Sequence, residues 1–197
     1  LVNIVNDRIL DRVPEGVGGD VLAQYETVSG GFLGAANLNA GFGNFSFHFD
    51  GMLRDRDDYD IPGFSETEPD AGEEAGTQEN SAMESEVVTG GLSYIGDRGF
   101  IGFSVNNLDA EYGIPGAHHH EEEGEEEEEE GGVSIDMQQT RYDFKARLDR
   151  PLNGLRWLRT RWGYNDYEHS EVEPSGEIGT QFDVEELEGR VEAAHDS

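Results

Sequence analysis

Cysteine is absent from this 197-residue chain, so neither a disulfide framework nor a thiolate metal site can form. Basic residues are scarce: 13 Lys and Arg stand against 44 Asp and Glu, for a formal net charge of −31. Nucleic-acid binding needs a basic footprint to release counterions from phosphate, so that class of partner is excluded; cations and basic partners are favoured. No apolar run approaches the roughly 20 residues of a transmembrane helix. This leaves β-structured membrane proteins open, because their strands need only about 9–11 residues with every second one apolar. Neither a nucleophile–base pair, nor a phosphate loop, nor a pair of catalytic carboxylates stands out, so no enzyme is expected and no cofactor is called for. No secretory signal peptide opens the chain, which begins inside a structured pattern at Leu1-Val2-Asn3-Ile4 and reads as a fragment of a longer protein.

What is abundant is glycine (27) and aromatic residues (Phe 10, Tyr 7, Trp 2), arranged with period two. In the stretch Asn44 to Arg54, Phe45, Phe47, Phe49 and Leu53 fall on one face and Ser46, His48, Asp50 and Arg54 on the other. A strand separates them in this way, whereas a helix would scatter the phenylalanines around its circumference. The alternation recurs in Phe32 to Ala40, Arg141 to Asp149 and Glu186 to Ala193, and more weakly in Val21 to Thr27, Val88 to Tyr94, Ile101 to Val105 and Leu158 to Tyr164. About eight strands are therefore predicted, and the fold class is all-β and antiparallel. Alternation does not reveal which face is buried. A soluble sandwich turns the apolar face inward; a membrane barrel turns it toward lipid and lines its lumen with the polar face.

The connections favour the barrel. Gly41-Phe42-Gly43-Asn44, Gly96-Asp97-Arg98-Gly99 and Asp149 to Gly154 are turn-like. Between them lie long acidic connections near 59–84, 113–132 and 170–179. Short turns on one side and long loops on the other are the rhythm of an outer-membrane barrel.

The long loops hold the candidate metal ligands. His118, His119 and His120 precede a glutamate run that starts with Glu121 and Glu122. Imidazole and carboxylate both suit Zn²⁺, and a His-rich tract in an acidic field can concentrate cations. Adjacent histidines diverge, so they make fast-exchanging rather than rigid sites; the plainer alternative is a solvated charge brush. His48 and Asp50 share the polar face of one strand, and His169 lies near the end of another. Each could belong to a lumenal metal site. Taken singly, each is read first as a lumenal hydrogen bond or salt bridge to Arg54, Arg141 or Lys145. Asp55, Asp57, Asp58 and Asp60 lack the Gly and Glu spacing of a calcium loop. Arg141, Lys145 and Arg147 alternate with Asp143 and Asp149 as ion pairs in the wall, and Trp157, Trp162, Tyr164 and Tyr167 read as membrane-interface anchors.

Several segments resemble one family. Val2-Asn3-Ile4-Val5-Asn6 looks like the end of the plug domain in TonB-dependent outer-membrane receptors, and Asp57 to Phe64 looks like the top of their third barrel strand. Asp109-Ala110-Glu111-Tyr112-Gly113-Ile114-Pro115-Gly116-Ala117, followed by His118 to Glu121, is similar to the zinc-uptake branch. So are Gln139 to Asp143 and Gly163 to His169. The resemblance implies a 22-stranded barrel in the bacterial outer membrane, closed by a plug and energised by the TonB complex through the missing plug region. It places residues 1–16 at the end of the plug and its linker, and 17–197 in about the first eight barrel strands. It implies uptake of zinc or a similar divalent cation as cargo. Alternatives are a receptor for a metal chelate (siderophore or haem), a small structural or adhesion barrel, and a soluble acidic sandwich.

Overall fold

A computed structural model describes residues 7–65, 75–115 and 132–195. Eight strands form one antiparallel sheet: β1 (Val17–Tyr25), β2 (Phe32–Phe42), β3 (Phe45–Arg56), β6 (Met83–Gly96), β7 (Gly99–Gly113), β8 (Ser134–Asp149), β9 (Leu155–Val172) and β10 (Ile178–His195). Each pairs with the next in that order, and β1 and β10 are the two free edges, so the sheet is open. The short strands β4 (Tyr59–Asp60) and β5 (Thr77–Gln78) make a separate hairpin above β3 and β6. All eight alternating segments of the sequence fall on strands of the main sheet, Val21 to Thr27 only as far as Tyr25. The Val2 to Asn6 segment lies outside the described residues.

The two faces of the sheet are inverted relative to a water-soluble β-protein. Ser46 is 1 % exposed and its neighbour Phe47 is 46 % exposed. Thr89, Ser93, Ser104, Asn106 and Asp143 are buried on the inner face, while Phe49, Leu92, Ile101, Phe103 and Trp162 are exposed on the outer one. The register aligns these outer side chains into rungs such as Phe47–Leu92–Phe103–Phe144–Trp162, running across five strands. Along β3 the apolar band runs from Phe45 to Leu53, about 26 Å at ~3.3 Å per residue. Above it the outer face turns acidic. Asp55, Glu84, Glu111 and Asp136 form one rung, and Glu86 faces Asp109 one rung below.

Tight turns join the strands at the opposite end. Gly43, in the β2–β3 turn, has φ 58°, a left-handed conformation that glycine adopts without steric cost. At the acidic end the β3–β6 and β7–β8 connections are long, but the β9–β10 connection is no longer than the 150–154 turn at the opposite end. The third is shorter than the span 170–179, because β9 reaches Val172 and β10 begins at Ile178. Backbone pairing continues there past the apolar band, where carboxylates on both faces erase the hydrophobic alternation that marks a strand in sequence.

Candidate functional site

The inner face carries a second piece of chain. Residues 7–16 cross the strands on this side before turning into β1. Ile9 is 6 % exposed. Its side chain fills the space a Cβ on Gly102 would need. The Arg8 carbonyl takes the corresponding space at Gly91, and the Pro14 carbonyl and Val13 take that at Gly41. Ser46 Oγ donates to the Arg12 carbonyl at 2.9 Å, and Gly41 N–H donates to the Gly16 carbonyl at 2.9 Å. Gly41, Ser46, Ser93 and Gly102 share one rung of the sheet. Small side chains at this level let the crossing backbone approach closely, and the Ser46 hydroxyl satisfies a carbonyl that burial would otherwise orphan.

One level further toward the acidic end lies a polar network. His48 Nδ1 is 2.7 Å from Asn39 Oδ1, and Nε2 is 3.2 Å from Asp50 Oδ1. The His48 side chain is 8 % exposed. Both ring nitrogens are thus occupied, and metal ligation by His48 would have to break one of these contacts. Asn106 Nδ2 donates to Thr89 Oγ1 at 2.9 Å, and Gln139 Nε2 donates to Asn165 Oδ1 at 2.7 Å. Arg141 bonds Asp143 at 3.2 Å and Glu188 at 2.5 Å, and Arg147 bonds Asp149 at 2.8 Å. These are ion pairs within the sheet, of the kind the alternation implied.

His169 stands elsewhere. It lies on β9, four strands from β3 in sheet order and at a rung nearer the acidic end, paired with Met137 and Phe182. Its ring is 5.5 Å from Tyr167 and 5.4 Å from Phe182, and its buried Nδ1 has no hydrogen-bond partner among the described residues. The structure therefore does not bring His48 and Asp50 to His169. Among the described residues no group of three or more His, Asp or Glu is placed to hold a metal ion. His118, His119, His120, Glu121 and Glu122 lie outside the described residues. The four aromatic residues read as interface anchors divide: Trp162 and Tyr164 are on the outer face, while Trp157 and Tyr167 are on the inner one, Trp157 beside Arg147 and Arg159.

The base of the His/Glu-rich connection is held by a residue that the sequence did not flag. Asn80 Nδ2 donates to the carbonyls of Ile114 at 3.0 Å and Val133 at 2.8 Å, one on each side of residues 116–131. Ile114 N–H also donates to the Val133 carbonyl at 3.0 Å. Asn80 has φ 56°, and its side chain packs against Gly113 and Gly132, where any larger residue would collide. Asp58 anchors the same corner by accepting from the backbone N–H of Ser81 at 2.6 Å and of Ala82 at 2.8 Å. This is a structural use of one of the clustered aspartates. Two adjacent connections at the acidic end are thereby tied together. Asn80→Gly keeps the left-handed backbone and removes both side-chain bonds. It is expected to cost about 1–2 kcal/mol locally, seen as faster amide exchange at Ile114 with little change at Phe103.

No family model matches the chain.

Proposed function

We propose that this chain is part of the wall of a TonB-dependent receptor in the bacterial outer membrane, one that takes up zinc or a similar divalent cation. The observation that carries the proposal is the inversion of the faces. A sandwich in water would bury Phe47 and expose Ser46, and the reverse arrangement suits a wall with lipid outside and a polar lumen inside. Tight turns at one end and two long acidic connections at the other, β3–β6 and β7–β8, support the same orientation in a membrane. The two free edges support a larger closed barrel, of 22 strands on the family's pattern, since an unpaired edge in lipid leaves backbone groups unsatisfied. The segment 7–16 held against the inner face supports a plug-side linker entering the barrel. Zinc as cargo rests on the His118–His120 run with Glu121 and Glu122, and on the resemblance to the zinc-uptake branch. Capture at this loop would be followed by transfer inward and release driven by TonB.

The test is calorimetric titration of Zn²⁺ into the detergent-refolded chain, with and without His118, His119 and His120 changed to Ala. Zinc binding that weakens at least tenfold in the triple variant is the expected result. Unchanged binding would move the site to the lumen. Absence of zinc binding would overturn the cargo and favour a metal-chelate receptor, while a chain that folds as a monomer in plain buffer would overturn the membrane placement. Closure of this chain alone into an eight-stranded barrel would favour the small structural or adhesion protein.

A further inference from the structure

The inner face of β8, β9 and β10 gathers positive charge in a strongly acidic protein. Arg141, Lys145, Arg147, Arg159, Arg161 and Arg190 all point there, six of the chain's 13 basic residues. Lys145, Arg161 and Arg190 are directly opposite one another on a single rung, and Arg147 faces Arg159 on the next. Like charges placed directly across a sheet oppose folding. The carboxylates on this face do not cancel them all. Asp143 and Glu188 bond Arg141, Asp149 bonds Arg147, and Glu192, which stands directly opposite Arg159, bonds Arg190 at 2.7 Å. Glu186 faces Asn165, away from the cation rungs. Lys145 is attracted by Asp7 of the crossing segment. Arg159 and Arg161 are left half-buried, and neither has an ion-pair partner among the described residues. Arg159 lies 5.2 Å from the Trp157 ring and Arg147 lies 6.0 Å from it.

We infer that this surface binds a small soluble oxyanion, a polycarboxylate or a phosphate, with Arg159 and Arg161 as its principal contacts. Two guanidinium forks on adjacent rungs of one strand offer planar, paired N–H donors that match carboxylate or phosphate oxygens. Binding would relieve the repulsion across the rungs. The binding of the anion does not rest on the receptor reading.

Trp157 gives a direct readout. In a Trp162→Phe chain refolded in detergent, Trp157 is the sole tryptophan, and its emission is followed as citrate or inorganic phosphate is added at constant ionic strength without zinc. A saturable change with either anion is expected, weakened at least tenfold in Arg159→Gln/Arg161→Gln. Saturation with citrate alone assigns a polycarboxylate; saturation with phosphate assigns a phosphate group. A linear response that chloride reproduces, or an equal response in the double variant, overturns the inference. The Arg159→Lys/Arg161→Lys chain keeps the charge without the forks. Loss of the response in the Gln variant together with retention of at least part of it in the Lys variant separates lost binding from lost folding. Because zinc is absent, failure here leaves the His-loop titration intact, and the converse also holds.

Discussion

On the proposed membrane placement, replacing Phe103 by arginine is expected to destabilise the protein in lipid by about 2–4 kcal/mol, the cost of a basic side chain near the middle of a lipid-facing barrel band. Phe103 is 47 % exposed and sits at mid-band between Leu92 and Phe144 on neighbouring strands, with Tyr142 stacked 6.2 Å away. The measurement is reversible unfolding from lipid vesicles with guanidinium. An arginine introduced at the acidic end instead, Asp109→Arg, gives the control. On the same outer face it is expected to change stability by under about 1 kcal/mol, because the penalty falls toward the membrane interface. In water the sign would reverse: an arginine at an exposed phenylalanine would improve solubility and leave the fold intact. A Phe103→Arg chain that is as stable as its parent in vesicles would therefore count against lipid as the neighbour of this face.

The second large effect is expected at Gly91. Its missing Cβ is the space that the Arg8 carbonyl occupies, so Gly91→Val forces either the crossing segment or the strand to move. Backbone gives less readily than the tip of a side chain. Overpacking of this kind costs roughly 1–3 kcal/mol, and lifting Ile9 from its site adds about 2 kcal/mol of lost apolar burial. The expected outcome is release of residues 7–16 from the inner face while the sheet persists. Limited proteolysis should cut the variant near Arg8 and Arg12, where the parent resists, with the strand content of the circular dichroism spectrum unchanged. Gly90→Val is the matched control. Gly90 neighbours it on the outer face, where a Cβ meets nothing within 4 Å. Equal cleavage in parent and Gly91→Val would mean that the crossing segment is not held there.

The strands themselves were legible in the chain. Phe45, Phe47 and Phe49 alternate with Ser46, His48 and Asp50, and only a two-residue period keeps those sets apart, so β3 and its seven partners could be read locally. So could the turns at Gly43-Asn44 and Asp97-Arg98, since turn chemistry is local. The ends of β9 and β10 were not. Beyond Tyr164 the outer face carries Asp166 and Glu168, and past Leu187 toward its start β10 carries Glu185 and Asp183. Those residues stay in strands through hydrogen bonds to a neighbour, which apolar alternation does not record.

The candidate ligands divide along the same line. That His48 and Asp50 share a face follows from their spacing of two, and the structure places them in contact at 3.2 Å. That His169 lies far from both depends on which strand pairs with which, a matter of tertiary register. The role of Asn80 was hidden for the same reason, as its partners Ile114 and Val133 are distant in sequence. By itself, then, the sequence determined that there are two chemically distinct strand faces, because side-chain direction in an extended chain is set residue by residue. Only the tertiary structure decided that the serines and threonines face inward and the phenylalanines outward. Burial depends on what lies across the sheet, here a crossing backbone that needs glycine and serine beneath it.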